Sequence, residues 1–518
     1  MAIGKISIMP EKKLEEVILQ EKRKGISNIE IGKKYGVTFK YIEKLITRSQ
    51  GINVSELKVS KKIKTLCPKD FKEEQTTVWS FKQRGNWATH SGEYRGNWSP
   101  YIPRNVILRY SKPGELVLDY FCGAGTTAVE AKLLGRRCIA FDVNDKAIEL
   151  AKENINLKID SYQLPFIEEK VYEYEPELFV GDARDLSFLQ NNSVDLICAH
   201  PPYANIIHYT ASQEGDLSFF DIDDFIKEMS KVARESFRVL RPGKHCAILI
   251  GDTRRKKYVI PLGFKLINVY LDAGFKLREL VIKRQHNCKT TGFWYSNSIK
   301  YNFLLLAHEY LPIFEKPKTS ASSYIKETGI EYVRVAPMLE KPVLRRKLDG
   351  LETTTVWILP EKDFEECLNK NVIDRYSNGN RYSTITFITH SKNDINFIER
   401  KEQKENGLLF IKSPFLQDNP SYSNIEYYLK EIEKIVEQDL HRTKKDGFLV
   451  IQTQDVRIDR YIEPLAKRLV DAITSSNVWL KEIVVVAQEN IKRSDGNSDT
   501  GEYLTISHQY LLIYERVN

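Results

Sequence analysis

The chain has 518 residues, 42% hydrophobic and 29% charged, a balance that excludes a disordered protein and a length that exceeds one ordinary core, so two or three globular domains are expected. No apolar run reaches the roughly 18 residues a membrane helix needs, and the opening MAIGKISIMPEKK lacks the apolar stretch and small-residue site of a secretory signal. Seven scattered cysteines without a CxxC pair point to a reducing cytoplasm and away from a structural zinc site, so no metal is expected.

The net charge of +8 is carried at the N-terminus: residues 1–67 hold fifteen Lys and Arg against seven Asp and Glu, the whole excess. A basic head on a near-neutral body suits a module that meets phosphates, although a solvated lysine-rich helix has the same composition. Within it, Leu14, Val17 and Ile18 recur at helical spacing, and SNIEIGKKYGVTFKYIEKLI resembles a helix-turn-helix. Ile31 and Tyr35 would face inward from the first helix, Gly36-Val37 would turn, and Thr38 would cap a second helix burying Ile42, Leu45 and Ile46. Lys40 and Lys44 would be left for phosphates or base edges. A helical hairpin that meets only protein reads alike.

From residue 105 to 317 short apolar runs (LVLDYF, RCIAFDV, VDLICA, HCAILIG, LRELVIK, NFLLLAHEYLPIF) alternate with helical stretches, predicting a parallel, doubly wound α/β sheet. The last two runs have no clear helix between them and suit an antiparallel pair at the sheet edge. In VLDYFCGAGTTAVEAKLLGRRCIAFDVN (117–144) a strand ends at Asp119, Gly123 and Gly125 make a tight turn, and a helix starts at Thr126. Glycine is needed where backbone must approach a ligand closely. The next strand ends in Asp142, where an acid can bond ribose hydroxyls. A dinucleotide loop would have GxGxxG, but position 128 is Ala.

Further on, a buried strand ends in His200-Pro201-Pro202-Tyr203. An exocyclic amino group is a poor nucleophile because its lone pair is delocalised into the ring, and a rigid carbonyl at Pro201 or Pro202 that accepts its hydrogens favours a directed lone pair. Tyr203 can stack on a flipped base. The two segments together resemble the amino-group (N6-adenine/N4-cytosine) DNA methyltransferases, matching their motif I (DxFxGxGTT) and motif IV ((D/N/S)PPY), in that order. The resemblance covers about residues 76–317. It implies a Rossmann-like methyltransferase sheet and S-adenosyl-L-methionine as cofactor, with Asp119, Phe121, Gly123, Gly125 and Thr126 at the cofactor loop, Asp142 on the ribose and Asp182 of VGDARDL on the adenine amino group. A helix N-cap is the alternative role for Asp182. His200 departs from the family's Asp, Asn or Ser, which blurs adenine against cytosine; neutral imidazole can still accept a hydrogen bond. Asn97-Trp98-Ser99-Pro100-Tyr101-Ile102-Pro103 fits the aromatic segment that covers the methionine end of the cofactor in this family, or packs as a lid core.

Asp252-Thr253-Arg254-Arg255 at a strand end, and Lys283-Arg284-Gln285-His286-Asn287 with the aromatic run after it, are candidate contacts to phosphates or the target strand, or ordinary edge loops. The C-terminal part repeats earlier segments in the same order: TTVW at 76–79 and 354–357, HPPY at 200–203 and KSPF at 412–415, IGDTRRKKYVIPL at 250–262 and TQDVRIDRYIEPL at 453–465, HEYLPIFEKP at 308–317 and HQYLLIYERV at 508–517. Trp79 to Pro202 spans 123 positions but Trp357 to Pro414 only 57, so the second copy is 66 shorter where the glycine loop would stand.

The expected organisation is a basic helix-turn-helix-like segment (1–67), a catalytic domain (68–320), a linker (321–344) and a degenerate methyltransferase-like domain without a cofactor loop (345–518). The expected activity is site-specific methylation of double-stranded DNA at adenine N6 or cytosine N4, alone or beside a restriction endonuclease, by a monomer that is internally a pseudo-dimer. The alternatives are a tRNA guanine-N2 type enzyme and a catalytically silent DNA-binding regulator on the same fold.

Overall fold

The computed structural model describes residues 11–318 and 352–517, apart from stretches of which the longest are 46–62, 158–173, 204–215, 287–297 and 490–501. The chain forms two compact units, Met1–Lys69 with Arg84–Val239, and Asp70–Gln83 with Leu240–Asn518. The first strand, β1 (Val78–Ser80), belongs to the second unit.

The first unit opens with α1 (Glu11–Arg23) and α2 (Asn28–Tyr35). Their apolar positions close a small core of Ile18, Ile31, Ile42 and Leu45, against which Tyr35 and Val37 pack. Gly36 takes φ +65°, the left-handed conformation that ends α2 without a Cβ penalty. Lys40, Lys44 and Ile46 lie outside the described residues.

After α3 (Tyr101–Tyr110) comes a parallel sheet: β2 (Leu116–Asp119), β3 (Arg137–Asp142), β4 (Glu177–Val180) and β5 (Val194–Ala199), with α4 (Thr126–Leu133) after β2 and α5 (Asp145–Ile155) after β3. The spatial order is β5-β2-β3-β4. Every residue of β2 and β5 is buried, as expected of parallel strands covered on both faces. From β2 the chain winds outward to β3 and β4, and later returns to β5 on the other side of β2. That reversal opens a crevice at the carboxyl ends of β2 and β5, the place where open α/β sheets bind ligands. The unit ends in α6 (Ile222–Val239).

The second unit holds β6 (Leu240–Ile248), the hairpin β7 (Thr253–Arg255) and β8 (Tyr258–Ile260), α7 (Leu262–Asp272), β9 (Lys276–Arg284) and β10 (His308–Glu315). The expected antiparallel pair is β9 with β10; β1 adds to β9 in parallel, and β10 runs antiparallel to β6. Then follow β11 (Val356–Leu359), α8 (Phe364–Tyr376), β12 (Tyr382–His390), β13 (Asp394–Arg400), β14 (Asn406–Lys412), α9 (Tyr422–Asp439) and β15 (Thr443–Thr453). The hairpin β16 (Val456–Ile458) and β17 (Tyr461–Glu463), α10 (Leu465–Ala472), β18 (Val478–Gln488) and β19 (His508–Arg516) complete the chain. Strands β11-β18-β19-β15 repeat the order and directions of β1-β9-β10-β6, and β14, β12 and β13 extend that sheet.

The two copies meet reciprocally. Thr77 Oγ1 lies 2.8 Å from His508 Nδ1, and Thr355 Oγ1 lies 2.9 Å from His308 Nδ1. Arg254 donates to Glu482 at 2.6 Å, and Arg457 donates to Glu279 at 2.5 Å. Both of these links are made again in reverse, the logic of an isologous dimer contained in one chain. Arg254 also donates to the carbonyls of Lys481 and Leu304. Its side chain is only 7% exposed, so the sequence-based assignment of Arg254 to a phosphate is corrected: the strand-end arginine is spent on a buried carboxylate. Arg254→Ala leaves Glu482 buried without its cation and should cost about 3 to 5 kcal/mol. A melting scan checks this; unchanged melting combined with weaker, less salt-sensitive DNA binding would restore the phosphate role.

Candidate cofactor and base site

The turn after β2 is organised by two buried carboxylates. Asp119 accepts the Phe121 amide at 3.0 Å from beneath the loop, and burial pushes its carboxyl up to about 7 against a hydrogen bond from Thr127. Asp142, at the end of β3, accepts the Gly123 amide through Oδ2 and the Asn144 amide through Oδ1, each at 3.0 Å. Burial raises it to about 6, the two amides pull it down, and the charge of Asp216 adds to the rise. Gly123 and Gly125 take φ +48° and +79°. A Cβ on Gly123 would sit 3.0 Å from the Tyr94 ring, and one on Gly125 would sit 3.0 Å from Ala151 Cβ. Gly123 therefore keeps open the space between loop and ring, while Gly125 lets α4 and α5 approach.

The segment before α3 is strapped onto α4. Glu130, fully buried on that helix, accepts Trp87 Nε1 at 2.7 Å and Arg104 Nη1 at 2.9 Å, and lies 2.7 Å from His90 Nε2. Thr126 Oγ1 donates to Asn97 Oδ1 at 2.5 Å. These anchors set Tyr94, Asn97 and Trp98 along one wall of a cleft whose opposite wall is Phe121, Gly123 and Asp142. The cleft, about 540 Å3 with its mouth included, runs on to His200 and Pro202 at the end of β5 and to Asp216 and Leu217. The His200 ring stacks on Trp98 (centroids 5.6 Å apart, planes at 21°), and its Nε2 lies 3.0 Å from the Tyr203 hydroxyl. Pro201 is buried beside it.

Of the residues expected from sequence, Phe121, Gly123, Asp142, His200 and Pro202 line this cleft. Asp119, Gly125 and Thr126 support it from behind. Asp182 is absent from its lining among the described residues. Arg184, two residues on, clamps both its oxygens at 2.6 to 3.0 Å and reaches Glu228 with its other nitrogen. A guanidinium two residues away thus pairs with the carboxylate that the resemblance assigns to the adenine amino group. Arg255 is exposed and Arg284 half-buried at the end of β9, both in the second unit. Sequence reasoning missed Tyr94, Gly96, Asp216, Leu217, Cys122 and Val143; the last two follow from their neighbours in the loop and in β3, whereas nothing local singles out Asp216.

A family model described as DNA methylase, covering the N6-adenine and N4-cytosine class, matches residues 13–153 and 194–408. The chain belongs to that family. A general methyltransferase domain model also matches residues 111–259. The Type II methyltransferase M.SmaI of Serratia marcescens is 35% identical over 88 residues, 17% of this chain and 29% of that protein. The tRNA (guanine(10)-N2)-dimethyltransferase of Methanothermobacter thermautotrophicus is 32% identical over 126 residues, 24% of this chain and 32% of that protein. The chain thus spans about a third of the length of these relatives. A SAM-dependent methyltransferase of Methanosarcina mazei has 18% identity and a TM-score of 0.29, covering 41% of this chain and 97% of that one. The family's cofactor is S-adenosylmethionine, and the cleft fits it: a glycine cradle that a side chain would fill, with a carboxylate at the end of β3.

Proposed function

We propose that the protein is a site-specific DNA methyltransferase that acts on the exocyclic amino group of adenine N6 or cytosine N4. The observation that carries this reading is the meeting of the glycine turn with His200 and Pro202 in one cleft, at the ends of adjacent strands, with Tyr203 hydrogen-bonded to His200. A bound sulfonium supplies the electrophilic methyl group. The chain's part is to hold the amine. A carbonyl of Pro201 or Pro202 accepts one amino hydrogen, fixed by two proline φ angles. In the tautomer where His200 Nε2–H donates to Tyr203, Nδ1 is the acceptor for a second. Tyr203 and Trp98 offer aromatic faces to a base taken out of its stack. Arg255 and Arg284, with Lys40 and Lys44 of the N-terminal segment, are the proposed phosphate contacts.

The relative named for tRNA guanine-N2 dimethylation favours a second reading, transfer to a guanine amino group in RNA. One experiment separates them. The chain is incubated with methyl-labelled S-adenosylmethionine and either duplex DNA or bulk tRNA, and the digested nucleosides are resolved. Label in N6-methyladenine or N4-methylcytosine is the expected result. Label in N2-methylguanosine overturns the DNA reading, and label in neither nucleic acid overturns both.

A further inference from the structure

Among the described residues that line the cleft are two carboxylates, Asp142 and Asp216, and no lysine or arginine. A cleft that gathers negative charge without a basic side chain among its lining residues is matched to a cation. Asp142 has its place defined: its oxygens hold the loop amide of Gly123 and the amide of Asn144 at the ribose end. Asp216 is different. It is 4% exposed, its Oδ1 receives the Ser218 amide at 2.9 Å, and it lines the cleft beside Leu217. Its charge is felt at Asp142, where it adds to the effect of burial in raising that carboxyl. The transferable methyl must lie between the ribose carboxylate and the His200-Pro202 end, and Asp216 borders the same cleft as both.

The donor and its demethylated product differ by one methyl group and one positive charge; ribose, adenine and amino-acid end are shared. A carboxylate near the sulfur therefore discriminates between them where contacts to the shared parts cannot. We propose that Asp216 is the counter-charge of the donor's sulfonium, the residue by which the cleft prefers S-adenosylmethionine to S-adenosylhomocysteine. This rests on the cleft being the donor's site and is independent of which nucleic acid is methylated.

Asp216→Asn removes the charge and keeps an oxygen for the Ser218 amide, so the turn is retained. Isothermal titration of the full chain with each molecule should show S-adenosylmethionine weakened about tenfold and S-adenosylhomocysteine by no more than about twofold. Equal loss for both, or no loss for either, overturns the assignment. A second arm needs no variant: sinefungin, with an ammonium carbon in place of the methylated sulfur, should bind the unmodified protein more tightly than S-adenosylhomocysteine, and equal affinity counts against the proposal. If the unmodified protein binds none of the three, the donor-site reading itself is at fault, an outcome distinct from a failure of Asp216 alone.

Discussion

Asp142→Ala should weaken S-adenosylmethionine binding by roughly 100-fold or more. The carboxylate serves two purposes at once. It fixes the glycine turn through the Gly123 and Asn144 amides, and on the proposed reading its remaining acceptor capacity would meet ribose hydroxyls. Hydrogen bonds to a charged acceptor contribute about 1.5 to 3 kcal/mol each, so losing two amounts to at least two decades in affinity. Asp142→Asn keeps the shape and one acceptor oxygen and should fall between. Titration calorimetry reads both, and should give one donor per chain, since the sequence of residues 345–518 has no counterpart of the glycine loop; a stoichiometry of two would refute that. The same carboxyl sets a pH dependence. Its value of about 6 belongs to the protein without ligand, and hydroxyl donors favour the charged form. Affinity should be flat above about pH 7 and fall as pH drops through about 6, approaching tenfold per unit. An Asp142→Ala affinity within threefold of the parent, or a flat profile down to pH 5, would show that the ribose is held elsewhere.

What could be read beforehand follows from how local each signal is. The turn from Asp119 to Thr126 encodes its own geometry in adjacent residues, because two left-handed positions demand glycine and the helix begins at once. The pairing of β9 with β10 could be read for a similar reason: two apolar runs lie close with no helix to carry a crossover. Arg254 was opaque. As a string, TRR at a strand end is a basic tip; only folding brings Glu482, 228 positions away, beneath it. Asp182 is a different case: its pairing with Arg184 is a side-chain geometry that the string VGDARDL does not spell out. Asp216 is the hardest case, an acid whose meaning lies wholly in what else borders the cleft. The repeat was visible as four string pairs, while its consequence, reciprocal contacts such as Thr77–His508 and Thr355–His308, required three dimensions.

Tyr203→Ala should abolish methyl transfer while leaving the donor's affinity within about twofold, because Tyr203 lies beyond the residues that line the donor cleft. Two losses combine. On the proposed reading the ring is the platform for the displaced base, and such stacking contributes about 1 to 3 kcal/mol. The hydroxyl, 3.0 Å from His200 Nε2, also keeps that imidazole's proton on the side away from the amine. Together they predict a fall in kcat of roughly 100-fold or more at saturating DNA. Tyr203→Phe separates the two, since it keeps the ring and removes the hydroxyl. It should lose about tenfold in kcat, equivalent to one hydrogen bond of about 1.4 kcal/mol, and base-flipping fluorescence from 2-aminopurine at the target position should persist. In Tyr203→Ala that signal should fall as well. Should Tyr203→Phe match the parent, the His200–Tyr203 hydrogen bond is idle in catalysis. Should Tyr203→Ala retain activity within fivefold, the base is held by another aromatic face, and Trp98, already stacked on His200, is the residue to replace next.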